Sequence, residues 1–318
     1  MKIVIAEFMD AAAVAALSGV FDVYYDKDLV DHPLKLKASL ANAAALIVRN
    51  RTQVNAALLE SAPTVHVVGR LGVGLDNIDV AACEKRGVQV IPATGANALA
   101  VAEYVIGTAM LLLRGAYVST ADVGEGRWPR TPLSNGRELA GKTLGLIGFG
   151  GIGRLTGGLG RGLGMQAIGF DANLGADSPV WPAQHTARRP FAELVTEADV
   201  VSLHVPLTAA TRSLIDAERI RTMKRDAILI NTARGGVVDE FAVAAALREG
   251  RLGGAALDVF EAEPLPAGSP LAGCPNLILT PHIAGVTRES NVRVSTMIAE
   301  KVAAALGVSL AWDGPARA

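Results

Sequence analysis

One six-residue turn constrains the fold of this chain more than any other feature. Gly148-Phe149-Gly150-Gly151-Ile152-Gly153 follows the apolar run Thr143–Ile147 and opens a stretch with helical spacing. Each glycine of this GxGxxG pattern has its own task. The first permits the tight turn from strand to helix, the second lets backbone approach a pyrophosphate, and the third allows the helix to pack closely on the strand. The helix N-terminus then presents N–H groups and the positive end of its dipole to phosphates. The next apolar run, 167–170, ends in Asp171, 23 residues beyond Gly148. A carboxylate there accepts a hydrogen bond from an adenosine ribose 2′-OH. No basic residue follows Asp171 closely, so a 2′-phosphate would meet repulsion, and the pattern predicts NAD in preference to NADP. Eleven of the 34 glycines fall between Gly145 and Gly169. Four of them, Gly157, Gly158, Gly160 and Gly162, lie inside the helix, where each costs about 1 kcal/mol relative to Ala. Close backbone packing and tolerance of a soft helix are both open explanations.

The turn sits in a wider alternation. Apolar runs at 3–6, 20–25, 44–48, 66–69 and 88–91 alternate with helical patterns at 10–17, 34–41 and 54–62. After a long helix at 98–113 and a Gly/Pro-containing link at 124–141, a second series has strands at 143–147, 167–170, 200–205, 227–231, 255–259 and 277–280. Strands alternating with helices predict parallel sheets covered on both faces. The expected fold class is therefore α/β: a doubly wound Rossmann NAD domain of six strands, plus a second, flavodoxin-like parallel α/β domain. A final helical stretch, 288–306, has no strand after it and is expected to pack back on the first domain.

Composition excludes several alternatives. Thirty Lys plus Arg face 31 Asp plus Glu, a net charge of −1, which leaves no basic footprint for nucleic acid. Cys83 and Cys274 form no CxxC and no short Cys/His spacing, so neither a disulfide scaffold nor a metal site is expected. Glu7 interrupts the N-terminal apolar run where a signal peptide needs continuity, and Glu103 interrupts the longest apolar helix, at 99–113, which is too short to cross a bilayer. A cytoplasmic protein with no membrane partner is the expectation.

Ligands of doubly wound sheets bind beyond the carboxyl ends of the strands. Three successive strands there run into Arg234, into Glu261 and Glu263, and into His282. Hydride transfer between an alcohol and NAD needs a proton acceptor that titrates near neutrality, and His282 suits it. A carboxylate on the other ring nitrogen would fix the tautomer and favour the imidazolium. Spacing alone leaves Glu261 and Glu263 equal candidates for that carboxylate. A guanidinium grips a substrate carboxylate bidentately, a role for Arg234. Asp258 lies inside its strand, where it orients either the cofactor or Arg234. His32, His66, His185 and His204 read as structural.

The runs 148–153, 231–236, 258–264 and 281–285, joined by Gly72-Val73-Gly74-Leu75-Asp76-Asn77 and His204-Val205-Pro206-Leu207, resemble the signatures of the D-isomer-specific 2-hydroxyacid dehydrogenases. The likeness spans nearly the whole chain. It implies a substrate domain of residues 1–97 and 286–318 around an NAD domain of 98–285, and a homodimer formed largely through the NAD domains. It assigns the catalytic acid to Glu263, the residue before Pro264. By the same likeness the amides of Val73 and Gly74 help hold the substrate carboxylate, while Ile152, Val205, Pro206, Thr232 and Asp258 join Gly148, Gly150, Gly151, Gly153 and Asp171 around NAD. Gly151 stands where relatives usually carry a larger, often polar residue, which leaves that pyrophosphate contact to backbone. The C-terminal regulatory domains of many relatives in serine biosynthesis are not expected here.

Three arginines bear on the substrate. Arg49, Arg70 and Arg130 lie in segments resembling those that serve the phosphate in 3-phosphoglycerate dehydrogenases, with Arg130 expected from the neighbouring subunit. They suit a small 2-hydroxy acid with a second anion, 3-phosphoglycerate or 3-sulfolactate. The chain is arginine-rich, 22 Arg to 8 Lys, so ordinary surface charge is the competing explanation. Reduction of simple 2-oxo acids such as glyoxylate or hydroxypyruvate is an alternative. An NAD-sensing corepressor shares the fold and the triad, but such proteins normally carry extra tails. An inactive homologue is disfavoured by the intact Arg234, Glu263 and His282.

Overall fold

A computed structural model describes residues 1–310 of the chain. They form two compact units, one of Met1–Asn97 together with the chain from Val286 onward, the other Ala98–Gly285. Residues 311–318, part of the expected first domain, lie outside the described residues.

The first unit is built on five strands: β1 (Lys2–Ile5), β2 (Asp22–Tyr25), β3 (Ala43–Val48), β4 (Val67–Arg70) and β5 (Gln89–Pro92). They are all parallel, in the order β2-β1-β3-β4-β5. Parallel strands need crossovers, and helices at Ala11–Ser18, Pro33–Leu40, Ala56–Glu60 and Val80–Lys85 supply them. The last of these is absent from the sequence reading. It spans six residues, too few for a periodicity signal, and starts where the Asp79 side chain accepts from the Ala82 N–H. Alternate residues of β1 and β3 enter opposite cores, with Ile3, Ile5 and Ile47 on one face and Val4, Leu46 and Val48 on the other. The C-terminal helix Arg288–Ala305 begins at a reciprocal cap between Thr287 and Ser290 and closes the first of these cores. It can do so because β4 carries Gly69, where a Cβ would come within 2.7 Å of Val302 Cγ2 and 2.8 Å of Ile298 Cγ2.

The second unit has seven strands where the sequence reading counts six. They are β6 (Thr143–Ile147), β7 (Gln166–Phe170), β8 (Ala187–Arg188), β9 (Val200–Leu203), β10 (Ile228–Asn231), β11 (Gly254–Leu257) and β12 (Leu277–Leu279). The additional strand, β8, is two residues long and exposed, so no apolar run marks it; pairing with the edge of β7 defines it. All neighbours are parallel in the order β12-β11-β10-β9-β6-β7-β8. Chain order reverses between β6 and β9, which puts the crevice for a ligand at the carboxyl ends of those two strands.

The glycine-rich helix Gly151–Gly162 answers its own question position by position. Gly157 and Gly160 are buried against the sheet: a Cβ would lie 3.0 Å from Leu146 Cδ1 at the first and 2.7 Å from Leu144 Cδ2 at the second. Gly158 and Gly162 meet no such obstacle. Close packing accounts for two of the four helix-interior glycines, and tolerance for the other two.

Candidate active site

At the crevice of the second unit the chain turns from β6 through Gly148, whose φ is +91°. A Cβ on Gly148 would lie 2.4 Å from the His204 carbonyl oxygen and 3.0 Å from Val205 Cγ1, and one on Gly153 would lie 2.3 Å from the Gly148 carbonyl oxygen. Neither position admits a side chain. Gly150 and Gly151, by contrast, face open space at the start of the helix, with the half-buried Ile152 beside them. Phe149 drives its ring into the core, stacked on Trp181 at 4.8 Å between centroids. Its N–H donates to Asp171 Oδ2 at 2.7 Å, while Asp171 Oδ1 accepts from the Asn173 N–H at 2.8 Å. The carboxylate proposed for the ribose is therefore oriented by the glycine turn itself, and each oxygen retains a second lone pair. Pro206 is exposed beyond β9, its carbonyl taking the Thr211 hydroxyl at 2.6 Å.

The donor set fits NAD. An open helix N-terminus for pyrophosphate, a held carboxylate and the Thr232 hydroxyl, which is buried without a partner among the described residues, match the groups of a dinucleotide. Below the turn, the His204 ring bonds Ser202 Oγ through Nε2 at 3.0 Å, and burial pushes its pKa down to about 4.

The strands β10, β11 and β12 are neighbours, so their carboxyl ends form one rim. His282 Nδ1 lies 2.8 Å from Glu263 Oε2, and Glu263 Oε1 accepts from the Phe260 N–H at 3.0 Å. The competing carboxylate is occupied elsewhere: Glu261 pairs with Arg212 at 3.0 Å. Arg234 follows β10 in a turn fixed by Asn231, whose Nδ2 donates to the Arg234 carbonyl at 2.9 Å and whose Oδ1 accepts from the Ala233 N–H at 3.0 Å.

Asp258 is committed to neither Arg234 nor, through its oxygens, to open solvent. The residue is 1% exposed, and its carboxylate takes the Thr280 hydroxyl at 2.6 Å and the N–H groups of Ile283 and Ala284, both at 2.8 Å. Its carbonyl accepts from the His282 N–H at 2.8 Å. Asp258 thus clamps the loop that presents His282 at a φ of +56°. Tyr104 Oη lies 2.6 Å from Thr280 Oγ1, and burial pushes the phenol up. Since an ionised carboxylate only accepts, Thr280 donates to Asp258 and Tyr104 donates to Thr280. Sequence reasoning missed Tyr104 and Thr280; a threonine two residues before His282 is the only local signal.

The first unit presents its own rim. Val48 and Arg70 are register partners on β3 and β4, so Arg49 and Arg70 emerge from neighbouring strand ends. Arg70 folds back over Gly72, with Nη1 donating to the Leu71 carbonyl at 2.9 Å. In the following loop the N–H groups of Val73 and Gly74 meet no acceptor among the described residues. Asn77 ties this loop to the Arg49 loop, its Nδ2 donating to the Thr52 carbonyl at 2.7 Å. Arg130 belongs to the second unit, exposed in a turn closed by its N–H to the Trp128 carbonyl at 2.8 Å.

Comparisons with known proteins bear on the family. Residues 106–284 match the model of the NAD-binding domain of D-isomer-specific 2-hydroxyacid dehydrogenases. The chain is 54% identical to an (S)-sulfolactate dehydrogenase of Chromohalobacter salexigens, over 96% of this chain and 98% of that protein. It is 38% identical to a D-3-phosphoglycerate dehydrogenase of Methanocaldococcus jannaschii, over 98% of this chain but only 58% of that longer protein. The crystal structure of the TT0316 protein from Thermus thermophilus superimposes with a TM-score of 0.87 at 32% identity, covering all of both chains. The chain belongs to the D-isomer-specific 2-hydroxyacid dehydrogenase family, NAD-dependent oxidoreductases acting on 2-hydroxy acids.

Proposed function

We propose that the substrate is a small 2-hydroxy acid, or its 2-oxo counterpart, carrying a second, terminal anion. The observation that carries the catalytic part is the Glu263–His282 pair at 2.8 Å, on a rim shared with Arg234. NAD, when bound, accepts or supplies the hydride. Glu263 engages His282 Nδ1, which leaves Nε2 to take the hydroxyl proton during oxidation and return it during reduction. Glu263 stabilises the imidazolium that forms when Nε2 is protonated. Arg234 is assigned to the substrate carboxylate; the amides of Val73 and Gly74 are assigned to the substrate by the family likeness. Asp171 binds the adenosine ribose, the turn 148–153 the pyrophosphate, and Thr232, Val205 and Pro206 line the remainder of the cofactor site. In this reading residues 98–285 are the NAD domain, and residues 1–97 with 286–318 the substrate domain.

The terminal anion is assigned to Arg49 and Arg70, with Arg130 reaching in from a second subunit. The 54% identity to a sulfolactate dehydrogenase along almost its whole length supports a sulfonate over a phosphate. A simple 2-oxo acid is the second reading, favoured by the engagement of Arg70 Nη1 with its own loop. Exposed Met110, Leu111, Tyr117, Val118 and Trp128, gathered in one stretch of the second unit, support a homodimer joined through that unit. Among the described residues no single helix is long and apolar enough to cross a membrane, and both cysteines are free; we assign the protein to the cytoplasm.

The test is NADH oxidation with the 2-oxo counterparts of 3-sulfolactate and 3-phosphoglycerate, pyruvate and glyoxylate as substrates. The expected result is a kcat/KM at least tenfold higher, on the order of one charge-assisted hydrogen bond, for an acid with a terminal anion. Values for pyruvate or glyoxylate equal to those for the acids with a terminal anion would contradict the second-anion assignment.

A further inference from the structure

The loop that follows β3 contains an anion-binding device that is already filled. The N–H groups of four successive residues, Arg49, Asn50, Arg51 and Thr52, converge on one carboxylate, that of Glu7, at 2.9, 3.2, 3.1 and 3.0 Å. Consecutive amides turned to a common point form a concave nest for an anion. Here the anion comes from the chain itself. Glu7 is 4% exposed, and although burial alone would raise its carboxyl, the amides of Thr52, Arg49 and Arg51 hold it below the usual carboxylate range. No incoming anion can use these amides.

What the nest leaves available is the guanidinium of Arg49. Asn291, in the first turn of the C-terminal helix, accepts from its Nη2 at 2.8 Å, and the exposed ring of Phe8 lies 5.8 Å from its Cζ. Among the described residues no carboxylate is within ion-pair distance of Arg49, whereas its neighbour Arg51 is paired with Asp31. Burial disfavours the charge of Arg49, and the Glu7 charge partly offsets this. A half-buried cation whose one side-chain acceptor is a neutral amide, with Nε and Nη1 uncommitted, is a receptor for an anion from outside. Asn291 matters by being uncharged: it orients the fork without neutralising it.

We infer that Glu7 and Asn291 are the positioning residues that make Arg49 the reader of the terminal sulfonate or phosphate. Glu7 fixes the loop backbone, and Asn291 fixes the guanidinium plane. The inference rests on the second-anion reading proposed above and adds to it which residues set the selectivity.

The test compares kcat and KM for the 2-oxo counterparts of 3-sulfolactate and 3-phosphoglycerate and for pyruvate, in the wild type, Glu7→Gln, Asn291→Ala and Asn291→Asp. Gln at position 7 brings an amide donor against the amide nest. In Glu7→Gln and Asn291→Ala the preference for the terminal anion over pyruvate is expected to fall on the order of tenfold, the loss of one charge-assisted hydrogen bond. The loss should fall on KM of the dianionic acid. Asn291→Asp separates positioning from mere support. The isosteric carboxylate keeps the hydrogen bond to Arg49 but neutralises it, so the preference should fall further than in Asn291→Ala; a purely supporting role would restore it. Whichever of the two acids shows the larger KM response identifies the anion. A wild type without preference would overturn the second-anion reading and this inference together. A wild-type preference retained in Asn291→Ala and Asn291→Asp would overturn this inference alone, and these two variants decide the matter if Glu7→Gln does not fold.

Discussion

His282 shows how much of the candidate site depends on residues that hold other residues in place. Its positive φ is an uncommon conformation for a residue with a Cβ, costing on the order of 1–3 kcal/mol, and it persists only where its surroundings impose it. Asp258 imposes it by taking the His282 N–H on its carbonyl and the next two amides on its carboxylate. His204 gives a measurable counterpart. Its pKa is about 4 against an ordinary 6.5, because burial disfavours the charged ring. Its contribution to stability is complete above pH 6.5 and is lost as pH falls toward 4, since the unfolded state binds the proton more readily. Urea unfolding should show about 2 kcal/mol less stability at pH 5 than at pH 7.5, a difference that His204→Asn reduces; a wild type equally stable at both would refute the burial argument. Of these residues, His282, Arg234 and the two glutamates were legible because polar side chains at parallel-strand ends are conspicuous. The choice of Glu263 needed family resemblance in the sequence and Arg212 in the structure. Glu7 and Asp258 were not legible in these roles. Glu7 meets amides more than 40 positions away, and the Asp258 clamp closes only when β11 and β12 lie side by side.

At the level of elements, the alternation of apolar runs with helical patterns was legible because parallel strands are buried on both faces. Strand β8 and the helix Val80–Lys85 were not, being too short to carry a period. The glycine-rich helix is the sharper case, since its glycines are alike in sequence and differ only in what stands opposite them. Gly158→Ala meets nothing closer than Arg161 Nη2 at 3.9 Å and should raise stability by about 0.5–1 kcal/mol through helix propensity. Gly153→Ala puts a methyl 2.3 Å from a backbone oxygen that cannot swing aside, so it should lower both stability and NADH affinity. Thermal unfolding and NADH fluorescence titration of the two variants distinguish them. A lowered Tm for Gly158→Ala, or unchanged behaviour of Gly153→Ala, would contradict the packing account.

On the scale of the whole molecule, a discontinuous first unit is completed by the last helix, while the second unit runs unbroken from Ala98 to Gly285. Near-zero net charge conceals a local order in which one buried carboxylate gathers the four amides of the Arg49 loop. If the exposed apolar stretch of the second unit joins two copies, Trp128→Glu, altering a residue 76% exposed in the single chain, should convert a dimer to a monomer in light scattering. A wild type already monomeric at micromolar concentration would remove the dimer, and with it the second-subunit role of Arg130. If His282, held by Glu263, moves the proton while the glycine turn binds NAD independently, loss of the ring must separate turnover from cofactor binding. Turnover and NADH binding measured on one preparation of His282→Ala test it most directly. The kcat is expected to fall about a thousandfold, within the range for a lost general acid–base, with the NADH Kd changed by no more than about twofold. Turnover within tenfold of the wild type, at unchanged NADH affinity, would contradict it.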